Sequence, residues 1–272
     1  MISEKCIKQY SGALLCRGED SLYISPHALL QPYISCYTIT FPKNMPEEFT
    51  IMPSASTRFI FSVTNNNIEN SFVGVNTKAF NAGNNASKMK MLLLIEFHIG
   101  ALFHFIKTDQ HELTDSFFAL TDLNKTFAHK IENILLEFES IESIVAALDK
   151  MFLDNLNFCG EKIVTEIKNK ILTHNGDVTQ KDLSTEFCYS EKHIRRLFLK
   201  YIGTGPKMFS RIVRINHAMR LLQNPTRFTD IAVKAGFFDQ SHFIHDFKHI
   251  CGITPMEYMK NMSVFYNDKH KI

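Results

Sequence analysis

The stretch TQKDLSTEFCYSEKHIRRLFLKY, running from Thr179 to Tyr201, decides the fold of the last third of this 272-residue chain. Thr179 followed three residues later by Asp182 has the spacing of a capping box, with Asp in place of the usual Glu or Gln, so a helix is expected to start there. Leu183 and Phe187 lie one turn apart on that short helix. Cys188 and Tyr189 make a turn, and Ser190 is placed to cap the next helix at its N-terminus. In that second helix Ile194, Leu197, Phe198 and Tyr201 follow i, i+3, i+4, i+7 and form a buried stripe. Lys192, Arg195 and Arg196 obey the same spacing on the opposite side. The pattern is helix, tight turn, helix, with three cations projecting from the first two turns of the second helix.

A similar arrangement begins about 50 residues later. Thr229–Ala235 reads as a short helix with Ile231, Ala232 and Ala235 inward, closed by Gly236, whose missing Cβ permits a left-handed turn. Asp239 is placed to cap a second outward helix, which buries Phe243, Phe247 and Ile250 and leaves Gln240, Ser241, His242 and His245 facing out. Between the units, Pro206 suits a helix start. Phe209, Ile212, Val213, Met219 and Leu222 supply the buried face of a connecting helix that runs to Asn224–Pro225. About 17 residues at 1.5 Å each rise about 25 Å, which suits two recognition helices in successive major grooves about 34 Å apart.

The outward residues carry the chemistry of base reading. The planar fork of Arg pairs with O6 and N7 of guanine, Gln bonds N6 and N7 of adenine, and Ser, His and Lys reach bases or phosphates. Charge is distributed accordingly. Residues 161–272 hold 18 Lys and Arg against 11 Asp and Glu, or +7, whereas residues 1–160 hold 12 against 17, or −5, giving the +2 of the whole chain. One basic part and one acidic part fit a domain that meets a polyanion beside a domain with another task.

On these residues the chain resembles the AraC/XylS family of bacterial transcription regulators. The resemblance is carried by Ile231-Ala232 through Gly236-Phe237, then Asp239 to Phe243, Phe247-Lys248 and Gly252 to Pro255. In the first unit it is carried by Leu183, Ser190, Ile194 to Phe198, Gly203 and Pro206, and in the connecting helix by Arg214 to Leu222. It covers residues 161–260. It implies a DNA-binding unit that can act as a monomer, reads bent DNA near promoters and often recruits RNA polymerase, most often as an activator. By position it assigns base reading to Lys192, Arg195 and Arg196, and to Gln240, Ser241, His242 and His245. Thr179, Ser190 and Asp239 become helix caps near DNA. His245 stands where an Arg is usual, and Asp246 adds a negative charge beside it, so the second unit is expected to attract phosphate less than the first. The N-terminal half resembles a β-rich companion domain of the family more loosely. Its Phe97-His98-Ile99-Gly100 replaces a Phe-Arg-Pro-Gly-like stretch.

Up to residue 97 the chain shows short strand candidates, Ile34–Phe41, Arg58–Val63, Phe72–Val75 and Met91–Phe97, broken by Pro42, Pro46, Pro53, Gly74 and Gly83. From Thr121 the period becomes helical, with Phe127, Ile131, Ile134, Leu135 and Phe138, then Ile141, Ile144, Val145 and Leu148. These two stripes either link the domains, pair with a second subunit in a homodimer, or pack on their own domain. The fold class expected is therefore α+β: a β-rich sensor or interaction domain over 1–120, a helical linker over 121–160, an all-α double helix-turn-helix domain over 161–260 and a tail over 261–272. The N-terminal domain is expected either to bind a small effector in a pocket lined by the Phe-rich sheet, with Arg58 or His98 as polar anchors, or to be a ligand-independent dimerisation or protein-interaction module.

Other classes find no support in the residues. The chain has no GxSxG elbow, no P-loop and no GxGxxG after a strand, and Glu47-Glu48 reads as solvated loop charge, so an enzyme is not expected. His242, His245 and His249 with Cys251 nearby suggest a zinc site only until the groove-facing role of the same helix is considered. No metal or cofactor is expected. Six cysteines without a CxxC pair suit a reducing cytoplasm, and neither a signal peptide nor a membrane span is visible.

Overall fold

The computed structural model describes residues 5–42, 50–65, 67–81, 89–224 and 227–261. Pro46, Gly83, Glu47-Glu48, Pro225 and most of the expected tail lie outside the described residues.

Among the described residues a helix α1 (Lys5–Gln9) precedes nine strands, β1 (Leu14–Arg17), β2 (Ser21–Ile24), β3 (Ile34–Thr40), β4 (Thr50–Ile51), β5 (Arg58–Val63), β6 (Ile68–Val73), β7 (Phe80–Asn81), β8 (Met91–Phe97) and β9 (Phe117–Phe118). Seven of them form one antiparallel sheet in the order β1-β2-β3-β8-β5-β6-β9, and β4 pairs with β7 in a small second ladder. Register follows the apolar pattern. Phe59 stands opposite Ile95 and Phe61 opposite Leu93 across β5 and β8, and all four are fully buried. Two of the expected strands occupy the residues read from the sequence. The third candidate starts earlier, at Ile68, and stops at Val73 because β6 pairs with the whole of β5 as a hairpin.

Helices α2 (Leu120–Glu137) and α3 (Ile141–Asp154) cover this sheet. Asn124 breaks the helical backbone of α2, and its Oδ1 accepts from the Phe127 N–H at 3.0 Å, recapping the helix that follows. The two apolar stripes do not stand free as a linker. Phe127 and Phe152 share a cluster with Phe59, Phe97 and Phe105, with ring centroids 5.3 to 6.3 Å apart in the contacts that tie helix to sheet. The N-terminal core therefore extends through α3, well past residue 120. The physical reason is that an antiparallel sheet buries one apolar face, and the amphipathic helices that follow it supply the cover.

The remainder is helical: α4 (Lys162–Thr173), α5 (Gln180–Phe187), α6 (Glu191–Ile202), α7 (Pro206–Leu221), α8 (Phe228–Lys234), α9 (Gln240–Cys251) and α10 (Pro255–Asn261). They enclose two separate cores. Val164, Ile167, Leu183, Ile194, Phe198 and Phe209 belong to the first, and Ile231, Phe243, Phe247, Ile250 and Tyr258 to the second. The long helix α7 contributes to both. Phe209, Ile212 and Val213 enter the first core, whereas Ile215 and Ala218 enter the second. The resulting architecture is the α+β arrangement expected from the sequence. Among the described residues no helix is long and apolar enough to cross a membrane.

Candidate nucleic-acid interface

Local side-chain chemistry builds each helix-turn-helix. Thr179 Oγ1 accepts from the Asp182 N–H at 3.1 Å while Asp182 Oδ2 accepts from the Thr179 N–H at 3.1 Å, completing the capping box. The Thr179 hydroxyl also donates to Asp182 Oδ2 at 2.7 Å, and this bond, with the one from the Thr179 N–H, holds the Asp182 carboxyl below its ordinary pKa. Cys188 closes α5 with a φ of 57°, a left-handed conformation unusual for a residue with a side chain. Ser184 Oγ braces the turn by donating to the Tyr189 carbonyl at 2.7 Å, and Ser190 Oγ caps α6 by accepting from the His193 N–H.

With α6 so started, Ile194, Leu197 and Phe198 are buried, and Lys192, Arg195 and Arg196 are exposed on the other side. Arg196 Nη2 lies 3.3 Å from His193 Nδ1, and the His193 ring stacks on Tyr189. The three cations therefore stand over a turn that is fixed by capping and stacking.

The second unit repeats the plan with other residues. Gly236 turns the chain at a φ of 74°, and Asp239 Oδ1 accepts from the His242 N–H at 2.7 Å to cap α9. Gln240, Ser241, His242 and His245 are all exposed. His242 Nδ1 also accepts from the Phe238 N–H at 3.4 Å, so in the neutral ring the hydrogen sits on Nε2.

Asp246 does not stand on the exposed face, contrary to the sequence expectation. It is buried, and Arg211 of α7 reaches it through both Nη2 and Nε. Position 246 follows Phe243 by three residues and so shares the inward stripe. Its charge is neutralised by a fork that the linear sequence does not link to it. Arg214, one turn further along α7, donates to the Gly236 carbonyl at 3.2 Å and lies over the Phe237 ring. Two arginines of the connecting helix thus hold the second recognition helix and the turn that precedes it.

Cys251 is buried, whereas His242, His245 and His249 are exposed, so the four do not converge. Among the described residues no group of three His, Cys, Asp or Glu is placed to hold a metal ion.

The two polar residues singled out in the N-terminal domain have different surroundings. Arg58 Nε donates to Glu96 Oε1 at 3.0 Å, and Ser56 Oγ donates to the same oxygen at 2.9 Å, which occupies the guanidinium. His98 lines a cleft of about 320 Å³ together with Ser56, Glu96, Ile99, Lys168 and Leu172. This cleft lies between the sheet and α4 rather than within the Phe-rich sheet, whose phenyl rings are packed on one another. Lys168, which the sequence reading did not single out, donates to the Ile99 carbonyl at 3.2 Å across the same boundary. The only signal for it was its place beside the buried Ile167 on an amphipathic helix.

Burial lowers the pKa of His98, and the nearby Lys168 charge adds to the effect. The Lys168 ammonium is itself shifted down by burial. A histidine held neutral in the fold contributes stability above the ordinary histidine pKa of about 6.5, and loses it as pH falls through the lowered folded value. The thermal midpoint of the full chain should therefore drop between pH 7.5 and 5.5, with His98→Gln showing a shallower drop. His104 and His217, also shifted down by burial, act in the same direction. Parallel pH profiles for the two proteins would contradict this assignment.

Comparison with known proteins agrees with the two-part organisation. A family model described as a helix-turn-helix domain matches residues 183–261, and one described as a domain of unknown function matches residues 23–119. The uncharacterized HTH-type transcriptional regulator YbfI of Bacillus subtilis is 30% identical over 146 residues, which is 49% of this chain and 49% of that protein. YidL of Escherichia coli, described in the same words, is 34% identical over 101 residues, 35% of this chain and 34% of its own length. The chain thus spans half or less of the curated relatives it matches. Among solved structures, a probable AraC family transcriptional regulator from Rhodopseudomonas palustris is 28% identical with a TM-score of 0.33, covering 37% of this chain and 96% of its own. ToxT from Vibrio cholerae is 14% identical with a TM-score of 0.46, covering 79% of this chain and 95% of its own.

Proposed function

The C-terminal third of this chain belongs to the AraC-type helix-turn-helix family, and from that premise we propose that the protein is a transcription regulator that reads double-stranded DNA with α6 and α9 in successive major grooves. The observation that carries this reading is the repeated division of faces. Lys192, Arg195 and Arg196 lie exposed opposite the buried stripe of α6, and Gln240, Ser241, His242 and His245 lie exposed opposite that of α9. The two helices are joined by the 16 residues of α7, about 24 Å of rise. Arg195 and Arg196 take guanine edges, Gln240 takes an adenine edge, and Lys192 and the imidazoles serve bases or phosphates.

The cleft beside His98 is the place we assign to a small effector. It touches both the sheet and α4, so a molecule bound there meets both domains and can favour one arrangement over another. His98, Lys168, Ser56 and Glu96 are among its polar groups. Arg58 acts through Glu96 rather than directly. A compound from a metabolite panel that binds there should raise the thermal midpoint of the full chain, and His98→Ala should abolish the rise. A shift that His98→Ala leaves intact would remove the cleft as the binding place.

Base and phosphate roles separate in a binding experiment. In sites selected from a random duplex library by the full chain, Arg195→Ala or Arg196→Ala should relax preference at one base position, at a cost of about 1–3 kcal/mol. Lys192→Ala, if it serves phosphate, should weaken all sequences alike and lower the salt slope by about one. Selected-site profiles unchanged by both Arg substitutions would show that α6 presents another face.

A further inference from the structure

The N-terminal domain touches both reading helices, and it touches each at the end away from its capped N-terminus. At the first unit, Gly203 follows α6 with a φ of 101°, and its carbonyl receives Thr114 Oγ1 at 2.8 Å and His111 Nδ1 at 3.2 Å. Thr114 and His111 belong to the single 3-10 turn Gln110–Leu113 and its C-cap. The ring of Phe103 meets Tyr201 edge-on at 4.7 Å, two residues back in the last turn of the same helix. At the second unit, the Ile250 carbonyl in the last turn of α9 accepts from the Ala79 N–H at 2.9 Å. Carbonyls at a helix C-terminus lack intrahelical partners, and here a separate domain supplies them.

One short segment also reaches both cores. Between β4 and β5, Met52 packs against the core of the second unit, and Ala55, three residues later, is buried in the core of the first. The intervening Pro53 and Ser54 are buried too, and Ser54 pairs with Asn76 through the backbone in both directions. A strap fixed in this way leaves little freedom to the two units it contacts.

The two helix-turn-helix cores are otherwise joined through α7 and its arginines. A tilt of about 10° at the end of a lever of about 24 Å moves the far end by about 4 Å, more than one base-pair step of 3.4 Å. Small rotations about α7 therefore matter to which spacing of half-sites fits. We propose that the N-terminal domain sets that spacing, with Thr114 and His111, which hold the C-terminal end of α6, and Met52, which packs against the core of the second unit, as positioning residues. This inference rests on the DNA-reading function proposed above.

The test uses the full chain and a site it has selected from a random duplex library, rebuilt as a series in which the two half-sites are moved apart or together one base pair at a time. The wild type should prefer one spacing at least tenfold over its neighbours. Thr114→Val and Met52→Ala should flatten that preference to threefold or less, while the penalty for a mismatch within either half-site stays as in the wild type. Thr114→Val removes a single hydroxyl from a partly exposed position, so it keeps the test clear of gross unfolding. Variants that retain the wild-type spacing profile would overturn the proposal, leaving α7 alone in control. A uniform loss of affinity at all spacings, with the preference kept, would overturn it equally. A wild type that selects no site at all would defeat the DNA-reading function itself, and this inference with it, a result distinguishable from the other two.

Discussion

One rigid element belongs to two hydrophobic cores, and the rest of the C-terminal architecture depends on it. Helix α7 buries Phe209, Ile212 and Val213 among the first unit's apolar residues and, less than a turn later, Ile215 and Ala218 among the second's. A helix can serve two cores because its side chains sweep round the axis every 3.6 residues. Separate cores permit separate units, and the shared helix leaves them only small rotations about its axis. Arg211 and Arg214 tighten the arrangement at the second unit, where removal of the partly exposed Arg211 would leave the buried Asp246 charge without its partner.

The N-terminal domain adds a second bridge across the same two units. Its contacts fall at Gly203 and Ile250, behind the reading surfaces, so the exposed cations of α6 and the polar face of α9 remain open to solvent. The cleft lined by His98 and Lys168 lies on this bridge, next to Ser56, which continues the strap carrying Met52 and Ala55. The cleft and the strap thus share residues adjacent in the chain. The boundary mixes polar and apolar contacts: Lys168, Thr114 and His111 each donate to a backbone carbonyl, and Ile99, Ala55 and Met52 pack against the C-terminal cores.

The double helix-turn-helix was legible because its signals are local. A capping box, a serine cap and an i, i+3, i+4, i+7 stripe all lie within 23 residues of sequence from Thr179 to Tyr201, and each acts over one or two turns. Strands Arg58–Val63 and Met91–Phe97 were legible for the same reason, as apolar runs of strand length. The role of the helices after residue 120 was not legible, because an amphipathic stripe says that something covers it and not what does. Phe59 and Phe97 supplied the cover from far upstream. Asp246 read as exposed charge because its partner, Arg211, is 35 residues away. Lys168 is not legible because a lysine on an amphipathic helix is ordinarily solvated, whereas here it is partly buried and donates to the Ile99 carbonyl of the N-terminal domain. The outward faces of α6 and α9 follow the apolar period wherever the core is helical, whereas contacts between domains leave no period at all.

Hydroxyl-radical footprinting of the full chain on a duplex it has selected is the most direct test of the claim that two linked helices read adjacent major grooves. The account predicts two protected tracts on one face of the helix, centred about 10 base pairs apart. A single protected tract, or even protection along the whole fragment, would contradict it.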